Sequence, residues 1–515
     1  MGGRSISTQN GESYRDWLQH THEGMQGGAD LVSHFFRRSY ALLREGGALG
    51  LIASNTIAQG DTRNSGLKHI LKNGGIIYRA IRRTKWPGEA AVVVSIVHIG
   101  RHLLKVPAPQ LDGDPVTRIS AFLVEGQNDN DPSRLTENSN KAFQGSILLG
   151  MGFTFDDKAA EKGIAENLAE MKRLVHNNPR NAERIKPYLG GEEINNEPQQ
   201  RPHRYVIDFD NFPLRRDASL PTWARIPQSR KEELITRGVV PNDYPMSVAA
   251  DWPDLVSIVE KKVKPERLKS KNKDVREYSW WRHWRIRSEL REAISNLDHV
   301  LVLSRVSPYL CLGYSNPTTT FADSCVVFAF QERKAFALLQ SRAHEIWARF
   351  FASSMKDDLR YTPSDCFETF PFPRGLGALA ELEMGGGTYH DHRAALMVAR
   401  NEGMTKTYNR FHDPNNSDDD IQRLRELHAA MDRAVLEAYG WHDLAARAES
   451  RFLNETSEDD HTYQGRLFWP SDFRDEVLAR LLALNAARYA EEVRLGTAPG
   501  KRGRAVPDEE EAEHE

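Results

Sequence analysis

Cysteine is scarce: Cys311, Cys325 and Cys366 are the only three in 515 residues. They are too few for a disulfide framework or a four-thiolate zinc site. Long apolar runs are missing too. The longest, at residues 90–99, has the length of a strand and cannot cross a bilayer. The N-terminus, with Arg4 followed by Ser, Thr, Gln and Asn, has no apolar signal region. A soluble, cytoplasmic protein is the expectation. An excess of charge of either sign is absent: 69 Lys and Arg stand against 72 Asp and Glu, a net charge of −3. Any nucleic-acid surface must therefore be a local patch rather than a global field. No internal repeat is visible, and the dipeptide Pro-Pro occurs nowhere. What is present is the material of a folded chain: 39% hydrophobic residues, with 10 Trp, 15 Tyr and 21 Phe. At about 100–200 residues per domain there is room for two to four domains.

Residues 1–102 read as α/β. Leu31/Val32, Phe35/Phe36 and Leu42/Leu43 fall on one helical stripe, which Gly46-Gly47 would end. Residues 48–54 are a continuous apolar run, as expected of a strand buried on both faces. A second helix fits residues 62–72, closed by Gly74-Gly75. Residues 76–81 read as a strand, Trp86-Pro87-Gly88 as a turn, and residues 90–99 as a β-branched strand. The order matches the closing half of a doubly wound sheet ending in a hairpin, with no earlier strands in the sequence. Residues 103–140, rich in Pro, Asp, Asn and Ser, read as a linker or loops. Residues 141–375 read as mixed α and β with short apolar runs at 205–209, 300–306 and 325–330. Residues 376–500 read as helical, with long amphipathic stretches at 419–438 and 473–493. Residues 501–515 form an acidic tail.

The segment Leu43-Arg44-Glu45-Gly46-Gly47-Ala48-Leu49-Gly50-Leu51-Ile52-Ala53-Ser54-Asn55-Thr56 resembles the helix-then-strand segment of the adenine-N6 DNA methyltransferases, which have a class I, Rossmann-like fold. By itself it fits any α/β protein. Ile57-Ala58-Gln59-Gly60-Asp61-Thr62-Arg63 and the stretch from Trp86 to Val97 resemble specifically the type IIG/IIL methyltransferases fused to restriction functions. Ile185-Lys186-Pro187-Tyr188-Leu189-Gly190-Gly191, residues 204–209, and the stretch from Lys356 to Pro373 extend the likeness over most of the chain. The last of these resembles the exit from a target-recognition domain into a helical region. The resemblance implies a half methyltransferase sheet at 1–102, a target-recognition domain at 141–375 and a helical C-terminal region. It also implies transfer of a methyl group from S-adenosylmethionine to a flipped adenine in double-stranded DNA. The family grips the adenine amine with Asn/Asp-Pro-Pro-Tyr/Phe. This sequence has none, and no glycine-rich strand-to-helix turn precedes residue 29. Gly2-Gly3-Arg4-Ser5-Ile6-Ser7 resembles the segment that directly follows that tetrapeptide, so the resemblance implies either a companion chain carrying the N-terminal half or a truncated remnant without activity. Trp86 takes the place of the family's base-stacking aromatic ring, or packs a hairpin corner; Arg82, Arg83 and Lys85 surround it as DNA-binding candidates. Asp30 lies where the family's cofactor-side segment runs, and would equally serve as a helix N-terminal acid.

Between Lys261 and Arg291 twelve Lys and Arg oppose four Asp and Glu, an excess of eight on a chain of net charge −3. Lys269, Lys271, Lys273, Arg276, Arg282 and Arg285 are the phosphate candidates, with Trp280, Trp281 and Trp284 packing beneath them. Arg305, Ser307, Tyr309 and Asn316, in the strand-and-loop region that follows, are the candidates for reading base edges. Pro253-Asp254 with Glu260-Lys261-Lys262 mimics a metal-dependent nuclease signature. The short spacing and helical pattern favour a plain helix instead. His20-Thr21-His22 and His390-Asp391-His392 lack closed ligand spacing, so no metal is expected. Two further readings of the whole stand beside the methyltransferase: a non-catalytic DNA-binding specificity module, and a nuclease.

Overall fold

The computed structural model describes residues 3–86, 93–103, 105–355, 358–375, 380–455, 458, 460 and 462–499. The acidic tail and most of the Trp86-Pro87-Gly88 turn lie outside these residues. No helix among them is long and apolar enough to cross a membrane.

Two short helices, α1 (Gly3–Asn10) and α2 (Glu12–Thr21), lead into α3 (Leu31–Leu42), β1 (Ala48–Ser54) and a helical stretch at residues 60–72, here α4. A π turn at Asn64–Lys68 interrupts α4. β2 (Gly75–Lys85), β3 (Val93–Arg101), β4 (Gln110–Leu111) and β5 (Asp114–Pro115) follow. The sheet order is β1-β3-β2-β4-β5. β3 runs antiparallel to both neighbours, so β1 and β2 are parallel with β3 inserted between them. α3 and α4 cover one face: Phe36 and Tyr40 pack with Leu67, Ile70, Ala53, Ile77, Val97 and Ile99.

Four expectations change here. β1 is an edge strand rather than one buried on both faces, and Ile52 is 52% exposed. The buried face of α3 is Ser33, His34, Phe36, Arg37 and Tyr40, while Phe35 and Leu42 face outward. α3 also stops at Leu42, with Leu43 extended, and Gly46 makes the turn beyond it. Residues 103–140 are no free linker either, since β4 adds to the sheet and Ile119, Ala121, Phe122, Leu123, Val124 and Leu135 are buried. Arg63 is 1% exposed beneath them; it pairs with Asp131 and lies 3.9 Å from the Phe122 ring centre.

The next region carries β6 (Ala142–Gln144), β7 (Thr154–Phe155), β8 (Ile185–Leu189), β9 (Arg204–Ile207) and α5 (Pro253–Leu268). It continues with β10 (Val300–Ser304), β11 (Val306–Ser307), β12 (Leu312–Ser315), β13 (Thr320–Phe321) and β14 (Cys325–Phe328). α6 (Arg333–Gln340), α7 (Arg342–Phe351), β15 (Ser353–Met355) and β16 (Asp358–Arg360) close it. The strands make sheets of order β12-β10-β14-β6, β13-β8-β9-β7 and β11-β16-β15. β10 and β14 are buried along their whole length, as their unbroken Val/Leu/Phe runs require.

α8 (Ala380–Arg400), α9 (Met404–His412), α10 (Asp419–Ala438) and α11 (Ser471–Leu495) complete the chain. Their apolar faces share one core with the preceding region: Leu301, Trp347 and Phe370 lie in the same cluster as Tyr389, Tyr408 and Leu478. A boundary at residue 375 therefore divides composition but not packing.

Candidate nucleic-acid interface

α5 begins at Trp252-Pro253, where proline at the first helical position costs no hydrogen bond. Leu255, Val259 and Val263, four residues apart, are fully buried and fix which side faces water. Arg267 continues that stripe and is consumed inside the protein: it donates to the carbonyls of Leu148, Leu149 and Ser279. Burial pulls its pKa down to about 10. Arg282 follows the same pattern. Its guanidinium donates to the carbonyls of Phe212, Asn211 and Ile235 and is 8% exposed. It is a structural tie, not a phosphate contact, which corrects its assignment. Trp281 is buried beneath the run and donates to the Phe212 carbonyl.

The other five phosphate candidates point outward. Lys269, Lys271, Lys273, Arg276 and Arg285 are all exposed. Lys273 pairs with Glu277 at 3.8 Å, on a short helix beginning at Lys273. Arg276 donates to the carbonyls of Ser270 and Lys271, which curls the loop and holds the row together. By contrast, the nuclease-like residues lie along the single helix α5. Asp254 accepts from the Asn181 amide at 3.1 Å, and Glu260 pairs with Lys264 at 2.8 Å. Among the described residues no group of three or more His, Cys, Asp and Glu is set to hold a metal.

A cleft of about 980 Å³ separates the α/β sheet from α7 and α11. Asp30, Asn55, Thr56, Arg82, Arg83 and Asp475 are among the residues lining it. Asp30 sits just before α3 without capping it. Its carboxylate accepts from the Thr56 hydroxyl at 2.6 Å, and its N–H donates to the Thr62 hydroxyl at 3.0 Å. Arg82 and Arg83 are not poised for phosphate. Arg83 forks onto Asp475 of α11 at 2.7 and 3.2 Å; Arg82 reaches Asp475 at 2.7 Å and Asp112 at 2.6 and 2.8 Å. Burial works against the Arg83 charge, but Asp475 outweighs it and raises the pKa. These two are corrections, because their carboxylate partner lies almost four hundred residues away in sequence. Lys85 is the last residue of β2, and Trp86 beyond it is 40% exposed.

The base-reading candidates scatter. Ser307, in β11, is buried and accepts the Tyr309 N–H. Tyr309 turns toward α9: its hydroxyl donates to Asn409 at 2.8 Å and its ring stacks on His412 at 4.9 Å. Asn316 is exposed, and its side-chain oxygen accepts from both the N–H and the hydroxyl of Thr318. Arg305, itself buried at 9% exposure, is the one of the four that lines an open groove of about 380 Å³, with Ser304, Asp323, Ser324, Asn195 and Arg360. The Val306–Arg360 register of β11 and β16 brings Arg360 beside Arg305. Arg360 was missed by the reading of side-chain types; it lies inside the Lys356–Pro373 stretch that carried the family resemblance.

Residues 242–374, which hold the exposed cations and both groove arginines, match the family described as the MmeI target recognition domain. Among solved structures, the chain is similar to the type IIL restriction–modification enzyme MmeI in complex with DNA. That match has TM-score 0.54 and 18% identity, over 93% of this chain and 55% of that one. It is also matched to the type IIG restriction endonuclease BpuSI, with TM-score 0.29 and 12% identity over 85% of this chain and 52% of that one. No curated protein matches. The fold is thus similar to that of the MmeI structure, and residues 242–374 are similar to a target recognition domain. The particular likeness is to MmeI, of which the chain spans about half the length.

Proposed function

We propose that this chain is the recognition-bearing part of a site-specific adenine-N6 DNA methyltransferase of a restriction–modification system. Lys269, Lys271, Lys273, Arg276 and Arg285 hold phosphates of double-stranded DNA, the sequence-independent part of affinity. Arg305 and Arg360, which line the groove, are the side chains that would read base edges, since a guanidinium can pair with guanine through two hydrogen bonds. Trp86, which is exposed, stacks on the extruded adenine. The observation that carries the reading is the match of residues 242–374 to a target recognition domain, on a stretch whose cations remain exposed.

S-adenosylmethionine is the methyl donor the resemblance implies. The described residues do not fit a complete site for it. Asp30 is turned onto Thr56, and neither a glycine-rich turn nor an Asn-Pro-Pro tetrapeptide is in the sequence. No methyl-transfer step is therefore assigned to this chain by itself; a companion chain would supply those groups. The same observation favours the second reading, a DNA-binding specificity module without catalysis.

The test is charge reversal of Lys269, Lys271 and Lys273 together, with duplex affinity followed by fluorescence anisotropy as salt is raised. Each phosphate contact adds about 0.9 to the slope of log K against log salt, so three lost contacts flatten it by about 2.7. Between about 50 and 200 mM salt the unmodified chain should lose roughly 40-fold more affinity than the variant. A loss confined to one DNA sequence would overturn the phosphate assignment.

A further inference from the structure

The loop at residues 22–28, whose Gln26 and Gly28 line the cleft, folds back over α3 and α4. The Gln26 N–H donates to the Ser65 hydroxyl at 2.9 Å, and Arg37 of α3 donates to the Glu23 carbonyl at 3.0 Å. Ser65 belongs to the π turn of α4. There Gly66 lets the helix close on α3, since a Cβ would meet that of Ser33 at 3.2 Å. Such π turns inside α-helices frequently mark functional sites.

What gathers at this contact is cationic. The His22 and His34 rings stand 5.3 Å apart. Arg37 and Arg38 of α3, with His69 and Lys72 of α4, act on them or on one another, and Glu23 is the carboxylate that Arg37 feels. Burial, then Arg37 and Arg38, lower the pKa of His22. Burial, then His22 and Arg37, bring His34 down to about 4. Burial, then Arg37, Lys72 and His22, lower His69. All three imidazoles are therefore uncharged near neutrality. His34 and Arg37 are 7% and 9% exposed. The His34 Nδ1 and one Arg37 Nη are nonetheless buried without a hydrogen-bond partner, as is the side-chain oxygen of Gln26. Buried polar groups are nearly always paired, so three unpaired ones between one loop and one helix call for a ligand. The Gln26 amide can turn either its oxygen or its nitrogen toward it.

We propose that His22, His34, Arg37 and His69, with Arg38 and Lys72 at the rim, bind inorganic phosphate or a phosphate monoester. The chemistry selects a small, doubly charged oxyanion. Arg37 supplies a permanent charge and an unpaired N–H, and His34 supplies a second buried donor. The half-buried His22 and His69 take up protons as the anion enters, while the exposed Arg38 and Lys72 draw it in. An internal phosphate of DNA carries a single charge and a sugar on either side, and the burial of His34 and Arg37 shuts it out. The site is distinct from the basic row at 269–285 and does not depend on the DNA reading. Its occupancy reaches the cleft all the same. The loop that it pins donates from Gly28 to Asp61 at 3.2 Å and leads into Asp30.

Sulfate is the first probe, titrated calorimetrically into the full chain. It stays doubly charged across the working pH range, so any pH dependence reports protons taken up by the protein. Because the free imidazoles have lowered pKa values and the anion raises them, binding should tighten at least about threefold from about pH 7.5 to about pH 6. Hydrogen exchange over residues 22–28 should slow in the complex. Arg37→Gln should weaken binding by about tenfold or more. That variant also gives up the tie to the Glu23 carbonyl, so His69→Gln, at a half-buried position, is the second. It should weaken sulfate at the lower pH and leave the higher pH nearly unchanged. Inorganic phosphate and a nucleoside 5′-monophosphate should each displace sulfate, and the one that does so at lower concentration identifies the source. The Lys269, Lys271 and Lys273 reversal should leave sulfate binding intact, which separates this site from the DNA surface. The proposal is overturned if neither anion binds, or if sulfate affinity is indifferent to pH and to both variants. Displacement of sulfate by a duplex without terminal phosphates would overturn it as well.

Discussion

Asp475→Asn removes the charge that holds two arginines of the α/β sheet against α11. The three side chains are 10–16% exposed, so water offers the stranded cations little compensation. Breaking one partner of a buried pair costs about 3–5 kcal/mol. Arg82 keeps Asp112, which places the expected loss near the lower end, at about 3 kcal/mol. The chain has several cores, so calorimetry should show the α/β transition moving away from that of the helical region rather than one uniform shift. A cycle with Arg83→Gln should return a coupling of about 2 kcal/mol. The acid dependence follows from the sign of the shift. Burial acts to raise the Asp475 pKa, but Arg83 and Arg82 outweigh it and hold it below the usual 3.8. A depressed carboxylate gives stability that is complete above its ordinary pKa and lost as pH falls through the folded value. The difference between the parent and Asp475→Asn should therefore stay flat from neutrality to about pH 4 and shrink below it. A cost under about 0.5 kcal/mol, typical of a surface change, would refute the argument. So would a salt slope for DNA binding that Arg83→Gln flattens, because it would mean the arginine meets phosphate after all.

Two further outcomes are expected. Arg305→Gln and Arg360→Gln should each cost about 1–3 kcal/mol on the preferred duplex and little on a scrambled one, measured by competition binding; equal losses on both would make the groove a phosphate site. The purified chain alone, given labelled S-adenosylmethionine and duplex DNA, should transfer no methyl group; measurable incorporation would show that the missing tetrapeptide is not needed.

Periodicity made the long elements legible. α10 begins and ends at Asp419 and Ala438, where the Ile421, Leu424, Leu427, Met431 and Leu436 pattern puts it, and α11 extends the 473–493 expectation by two residues at each end. What periodicity cannot report is the neighbour. The run Ala48–Ser54 has the composition of a central strand yet stands at an edge, because β3 is its one neighbour among the described residues. Phe35 and Leu42 are exposed although they belong to an apolar stripe, whereas Ser33 and Arg37 of the same helix are buried. Charge was the other blind spot. A count of cations locates a basic stretch, but it cannot tell Lys269, which stays in water, from Arg282, which is tied to three carbonyls. That distinction depends on loop backbone tens of residues away, around Asn211 and Ile235. Arg305 was visible as a residue type in a loop-rich region, while Arg360 came within reach only through strand pairing.

The core that runs unbroken from Leu301 through Trp347 and Phe370 to Tyr389, Tyr408 and Leu478 sets where the protein can be cut and rejoined. A graft that transplanted specificity by splicing just after residue 374 would strip the cover from Phe336, Trp347 and Phe370. Each truncated aromatic contact of that kind costs several kcal/mol. Chimaeras that carry the helices along to Leu495 keep both walls of the packing together, and these are the ones that should stay folded while changing which duplex they bind.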